Sequence, residues 1–493
     1  MFATQLSVFI LTYLVLALGL SIFTWLRLKT KLAFSCAVFA GTLLLVVAIS
    51  FQRWSSPVVL SDKLLTLFVD RMWLTILAAL CAASTVLPWA ALLWQDVAGQ
   101  KRLTVVLTIV ILFGSLSGTA IGFAMFLYEE TNDIQLPFVA LHADDYVVEE
   151  IATFDVSPIR VAVDAERELA FVSYYTEDHQ GLYEGGVQQV STKLIDGKPN
   201  RPSLAVSSPL LFRPFGLALR NGDLYVARCG IHADVLNGKI THPNLGRVTR
   251  LSDLDNNGTY EYFHDVISDL PGGRSPDAQH QNNELIFDDE GNLFIAIGTN
   301  DDRSLDDDPR GGTILKASPD FSEVEVFARG LRNPFGIAVA RDDQGDIVFI
   351  NDNDVRSNRG DELNVARKGD HFGHPFVVGL DKQGKDNGFK DPIWMSRPNS
   401  NLNGLAYLGE QFGDLAGKLL AVDQPAHCVY LVQPHLANVE SAKSPDVPPD
   451  KRFVRVFLNV PTPVDVVATS TGEIYVLTRY YNRLYRVRPK AKS

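Results

Sequence analysis

One short pattern returns six times between Pro158 and Thr478, and it leaves the chain few folds to choose from. Each copy has an apolar hexad, a polar turn and a second apolar strand. The hexads are PIRVAV from Pro158, PFGLAL from Pro214, NNELIF from Asn282, PFGIAV from Pro334, LNGLAY from Leu402 and PVDVVA from Pro463. Their partner strands are ELAFVS, DLYVAR, NLFIAI, DIVFIN, KLLAVD and EIYVLT. Each unit reads as an antiparallel hairpin with a half-buried face. A β-sandwich or two small barrels are open to such hairpins, but near-regular recurrence of one hairpin type favours six four-stranded blades of about 60 residues each. Upstream, Val147–Phe154 (VVEEIATF) reads as a strand that joins the last blade and closes the ring.

The first quarter is different. Four charge-free apolar runs, Leu6–Leu26, Leu32–Phe51, Met72–Trp94 and Leu103–Tyr128, are each long enough to cross a hydrocarbon core of about 30 Å as a helix. A cleaved signal peptide followed by buried core helices does not explain four such runs in succession. Arg27, Lys29 and Lys31 follow the first run, Lys101 and Arg102 precede the fourth, and the acidic Glu129-Glu130 follows it. The positive-inside rule then puts both termini outside the cytoplasm and the large C-terminal part in the periplasm or cell exterior. No Asp, Glu, Lys, Arg or His lies within these spans, which excludes a haem held by two histidines or a relay of carboxylates there. Anchoring in lipid is the default role, with a quinone site left open. The expected fold is an all-β six-bladed β-propeller over residues 131–493, preceded by an α-helical membrane domain of four transmembrane helices over residues 1–130.

Through Glu130 the chain holds 8 basic and 5 acidic residues, so the remainder carries 37 basic against 52 acidic. That acidic balance argues against nucleic acid or anionic lipid as a partner of the propeller. Cys36 and Cys81 fall in the apolar runs, Cys229 and Cys428 in the soluble part. The last two belong to the second and fifth blades, opposite one another in a six-membered ring, so no disulfide is expected between them.

Residues that carry chemistry cluster at strand ends. Gly330–Pro375 reads GLRNPFGIAVARDDQGDIVFINDNDVRSNRGDELNVARKGDHFGHP. Its second strand runs into Asn351-Asp352-Asn353-Asp354 and then Asp361-Glu362-Leu363-Asn364, an oxygen density that suits a hard cation or a cofactor. His280 stands just ahead of the third hexad, where a neutral imidazole suits a base near pH 7. Arg228 ends DLYVAR, where a structural salt bridge and a ligand contact are both open readings. Asp253, Asp255 and Asn257 before Gly258 begin like a calcium loop, but position twelve is His264 rather than glutamate, which favours a polar hairpin turn. The aspartate-rich run Asn300–Pro309 reads as a solvated loop.

From Pro209 to Pro489, and most strongly over His280–Pro375, the chain resembles the glucose/sorbosone dehydrogenase family. The best-known members are six-bladed propellers that use pyrroloquinoline quinone (PQQ) and calcium. The resemblance implies that His280 removes the substrate proton. It implies that Arg228, Gln281, Arg332 and Asn333 contact the cofactor, with Arg332 also facing the quinone oxygen that gains charge. Asn353 and Asp354 would supply backbone carbonyls to the calcium that holds the quinone. Glu362 and the carbonyl of Phe372 match a second, structural calcium site. The pattern departs from the family where relatives hold the cofactor carboxylates with one lysine and two arginines. Here those stretches read AVDQPAHCVYL and NVPTPVDVV, with Pro425, Thr462 and Val464 at or near the expected places. Charge-assisted hydrogen bonds contribute about 1.5–3 kcal/mol each, and His427 and Arg479 replace them only in part.

The implied function is a membrane-anchored, periplasm-facing quinoprotein dehydrogenase of the inner membrane. It would oxidise an aldose or related alcohol and pass electrons to a respiratory quinone or soluble acceptor. A non-catalytic propeller that binds a ligand or protein partner is the alternative. Calcium-dependent lactone hydrolysis is a third reading, which needs a carboxylate-lined channel centre and leaves His280 unexplained.

Overall fold

The computed structural model describes residues 139–490, apart from 178–182, 230–244, 272–279, 281, 300–303, 354–359, 378, 381–387 and 445–446. The propeller unit is Val139–Ser493. Two strands precede the first hexad, β1 (Ala140–Leu141) and β2 (Tyr146–Thr153). Blade 1 is β3 (Pro158–Asp164), β4 (Leu169–Glu177), β5 (Tyr183–Ser191) and β6 (Ser203–Ser208). Blade 2 is β7 (Leu217–Arg220), β8 (Asp223–Arg228), β9 (Gly246–Ser252) and β10 (Tyr262–Leu270). Blade 3 is β11 (Asn282–Phe287), β12 (Leu293–Ile297), β13 (Thr313–Ala317) and β14 (Val324–Arg329). Blade 4 is β15 (Pro334–Asp342), β16 (Gly345–Asp352), β17 (Glu362–Ala366) and β18 (Trp394–Met395). Blade 5 is β19 (Leu402–Tyr407), β20 (Leu419–Asp423), β21 (Cys428–Val432) and β22 (Val454–Asn459), with β1 added to its outer edge. Blade 6 is β23 (Pro463–Ala468), β24 (Ile474–Thr478), β25 (Arg483–Pro489) and β2.

The hexads form the first strand of each blade, and these strands contact one another in a closed ring, β3 to β7, β11, β15, β19, β23 and back to β3. The core is correspondingly divided into six apolar layers, one between each pair of neighbouring blades. A blade on its own would leave both faces of its sheet wet, so burial demands closure of the ring. Closure is made by β2, the strand expected at Val147–Phe154, which pairs antiparallel with β25. Glu149 bridges Arg486 and Arg488 at 2.8 and 2.7 Å, and Glu150 meets Arg483 at 2.7 Å. Those arginines hold the Glu149 carboxyl below the usual carboxylate range.

The four apolar runs lie outside the described residues. Among the described residues no helix is long and apolar enough to cross a membrane. Cys229 and Cys428 are both buried and unlinked, and burial pushes the Cys428 thiol up to about 12. The Asp253–Gly258 stretch is a hairpin turn. Asp253 accepts the N–H groups of Asn257 and Gly258 at 3.1 and 2.8 Å, while His264 lies in the strand β10.

Candidate active site

Two segments build the site, the approach to β11 and the approach to β15. His280 precedes β11 and is buried. Its backbone and Cβ pack against the end of β12, where a Cβ on Gly298 would collide with the His280 Cβ. The next residue, Thr299, donates its N–H to the Arg332 carbonyl at 2.8 Å. His280 and Arg332 are therefore joined through Gly298-Thr299 across the boundary of blades 3 and 4.

Arg332 is itself buried and held from several sides. Its Nη1 donates to the Asn353 carbonyl at 2.8 Å. The Asp352 carboxylate accepts the Arg332 N–H at 3.1 Å and the Asn333 N–H at 2.7 Å. Asn333 Nδ2 donates to Asn353 Oδ1 at 3.1 Å, and the Asn353 N–H returns to the Asn333 carbonyl at 3.1 Å. Asn353 Nδ2 in turn donates to Asp361 Oδ2 at 3.0 Å, and the same oxygen accepts the Leu402 N–H at 2.8 Å. The oxygen density that the sequence offered for a cation is thus largely engaged in fixing backbone. Asp352 and Asp361 are the residues whose roles the sequence did not distinguish. Gln281 and Asp354 lie outside the described residues.

Three further candidate residues have partners within the fold. Arg228 forms a salt bridge within its own blade. Its guanidinium donates to Asp265 at 2.8 Å and to Thr249 at 2.7 Å, in the outer strands of its own blade. Glu362 is occupied by hydrogen bonds, accepting the Gly379 N–H at 2.6 Å and Asn364 Nδ2 at 3.1 Å. Phe372 donates its N–H to the Arg329 carbonyl at 2.9 Å and packs in the layer between blades 3 and 4.

Among the inner strands lies a charged group that the sequence reading missed. Arg160 on β3 is fully buried. Its Nη1 lies 3.1 Å from Glu284 Oε2 on β11 and 3.2 Å from Asp465 Oδ1 on β23. Its Nη2 donates to the Phe335 carbonyl on β15, and its guanidinium sits 4.2 Å over the Phe335 ring. All three charged residues occupy the third position of their hexads, at a break in strand register. A bulge there re-aims the side chain into the channel. The other three hexads have glycine at that position. A Cβ on Gly404 would strike Asp465, and one on Gly336 would strike the Asn403 carbonyl.

One guanidinium faces two buried carboxylates. Burial pushes Glu284 from its ordinary 4.5 up to about 8 and raises Asp465 as well. The folded state therefore keeps a proton on Glu284 that the unfolded chain has already lost. This contribution to stability is complete below about pH 4.5 and is lost as pH rises through 8. Wild type should lose up to roughly 1.4 kcal/mol per pH unit across that window relative to Glu284→Gln. Chemical denaturation of both proteins from pH 5 to 9 measures this, and parallel curves would contradict it.

Residues 237–479 match the family model of glucose / sorbosone dehydrogenase. The match runs from the second blade into the sixth and takes in the whole rim described above. Aldose sugar dehydrogenase YliI of Escherichia coli (strain K12) is 28% identical over 131 residues, which is 24% of this chain and 34% of that protein. The aligned part is thus about a third of the relative's length. Among solved structures, the PQQ-bound aldose sugar dehydrogenase of Streptomyces coelicolor superposes with a TM-score of 0.50 at 18% identity, covering 71% of this chain and 100% of that one. The calcium structure of a Trichoderma reesei carbohydrate-active enzyme of family AA12 gives 0.51 at 13% identity, covering 73% and 100%. At these identities the structures establish the six-bladed fold.

The donor set can be tested against PQQ and calcium. At the quinone edge it fits: a guanidinium, a carboxamide and a backbone carbonyl converge at Arg332, Asn333 and Asn353. The Asn353 carbonyl already accepts Arg332, but a carbonyl oxygen has a second lone pair for a cation. At the carboxylate edge the partners are neutral. The Thr462 N–H donates to His427 Nδ1 at 3.0 Å, and Val464 is buried in the layer between blades 6 and 1. The Arg479 N–H donates to the Thr462 carbonyl at 3.0 Å, which brings that arginine's backbone to this edge.

Proposed function

We propose that this chain is an oxidoreductase of the sugar dehydrogenase type, removing hydrogen from a hydroxyl of an aldose or related alcohol. The observation that carries the reading is the backbone link between His280 and Arg332 through Gly298-Thr299. His280 receives the hydroxyl proton. A positioned imidazole is suited to this near neutral pH. Arg332 and Asn333 would hold a quinone cofactor such as PQQ, with calcium at the Asn353 carbonyl. When bound, PQQ supplies a two-electron acceptor for the hydride. Arg332 places a permanent positive charge where acceptor oxygen gains negative charge, and Asp352 keeps the Arg332-Asn333 backbone from moving. Residues 1–130 serve as the membrane anchor, with the propeller outside the cytoplasm and electrons leaving to a respiratory quinone or soluble acceptor.

Lactone hydrolysis is disfavoured by a specific contact. The channel does hold two carboxylates, but the Arg160 guanidinium stands between Glu284 and Asp465 in the place a cation would take. The remaining alternative is a non-catalytic binding propeller. Dye-linked oxidation of a panel of aldoses, with PQQ and calcium supplied to the full-length protein, separates the two. Arg332→Ala should weaken PQQ binding and lower turnover together, because its charge acts on the cofactor in both redox states. An Arg332→Ala protein with wild-type affinity and rate would remove this arginine from the site, and a wild type inactive on every aldose would favour the binding module.

A further inference from the structure

The charged group in the channel is more than a plug, because its anchoring points are the two segments that carry the site. Glu284, which meets Arg160 Nη1 at 3.1 Å, is four residues beyond His280 on the same strand approach. Phe335, whose carbonyl accepts Arg160 Nη2 and whose ring lies 4.2 Å beneath the guanidinium, is three residues beyond Arg332. A single rigid fork thus spans from β11 to β15, while Asp465 on β23 fixes its third side at 3.2 Å. The Val161 N–H donates to Asp465 Oδ2 at 2.9 Å, so the strand that bears Arg160 is itself tied to that carboxylate.

Stability alone does not account for this arrangement. Buried ion pairs are expensive to desolvate, and well-packed apolar residues in their place are often as stable or more so. The layers between blades are apolar, and the neighbouring hexads fill the equivalent position with glycine. What apolar packing does not provide is a planar, multidentate group that fixes two backbones at a set distance.

We propose that Arg160 is a positioning residue: through Glu284 and Phe335 it sets the spacing between His280 and Arg332 from inside the channel. The inference rests on the dehydrogenase reading of that pair. Arg160 touches neither substrate nor cofactor, and acts by holding the starts of β11 and β15. The groups facing Glu284 are Arg160 from β3 and Asp465 from β23, with the Phe335 carbonyl from β15 sharing the same guanidinium.

Arg160→Lys keeps the positive charge between the carboxylates but lacks the planar fork that also reaches Phe335. In the full-length protein supplied with PQQ and calcium, kcat for D-glucose should fall roughly tenfold to a hundredfold, with KM changed far less. Without any cofactor, the His280 imidazole signals in proton–nitrogen NMR spectra, identified by their loss in His280→Ala, should shift in the same variant. Wild-type kcat and unchanged His280 signals, with only the unfolding midpoint lowered, would overturn the proposal. If Arg160→Lys does not fold, the near-isosteric Glu284→Gln, assayed near pH 9 where the wild-type carboxylate is charged, carries the same comparison, since it weakens the link between Arg160 and β11 alone. Should wild type oxidise no aldose, the functional reading fails, and the imidazole spectra still decide whether Arg160 sets the place of His280.

Discussion

Arg160→Met is expected to destabilise the propeller by about 3–5 kcal/mol, the largest effect of any single substitution considered. The size follows from what is left behind. Glu284 and Asp465 are both buried, and each faces the same guanidinium at 3.1–3.2 Å. Methionine fills much of the volume but leaves two carboxylates with no cation and the Phe335 carbonyl with one donor fewer. The carboxylates would respond by binding protons, so the loss should be greatest at alkaline pH and smaller in mild acid. Replacing the whole group is expected to behave differently. Arg160→Met combined with Glu284→Gln and Asp465→Asn removes every charge together and should recover most of the loss, because the penalty arises from uncompensated charge. Equilibrium denaturation of the single and triple variants measures both quantities. A single variant within 1 kcal/mol of wild type would show that the channel is wetter than its burial implies.

His280→Ala is expected to lower kcat by about 10²–10⁴-fold, the range typical of a positioned general base. The effect should fall on kcat rather than KM, since the imidazole acts as the proton leaves and contributes little to holding the ground state. The substitution keeps the Cβ beside Gly298 but removes a buried imidazole ring. A modest fall in stability is therefore expected, and the unfolding midpoint has to be compared before the rates are. A folded His280→Ala protein with undiminished aldose oxidation would remove the histidine from the mechanism.

The fold was legible because its unit repeats. Each hexad became an inner strand, and the closing strand expected at Val147–Phe154 was found at Tyr146–Thr153. Apolar alternation reports burial locally, and six copies of one hairpin leave few ways to bury them. His280 and Arg332-Asn333 could be singled out as candidates because polar residues clustered at strand ends often carry function. Arg228 shows a limit of local reading: its partners Asp265 and Thr249 lie in later strands of its own blade, and nothing local marks them as partners. Arg160 shows the limit more sharply. A single charge within an apolar hexad reads as a solvent-facing residue, and its partner Asp465 lies 305 residues away. The signal was present, as Arg160, Gly216, Glu284, Gly336, Gly404 and Asp465 at one position of six aligned hexads. It has meaning only once that position is known to point into a shared channel.

The central claim is that this rim receives a quinone which a sugar then reduces, and absorption spectroscopy tests it most directly. Full-length protein is titrated with PQQ in the presence of calcium, and an aldose is then added without any other acceptor. The account predicts saturable binding, weakened by the neutral carboxylate edge at Thr462 and Val464, followed by conversion of the bound quinone spectrum to its reduced form. It further predicts that His280→Ala binds PQQ as wild type does but leaves it oxidised after sugar is added. Absence of a bound quinone spectrum at micromolar PQQ, or a bound quinone that no aldose reduces, would contradict it.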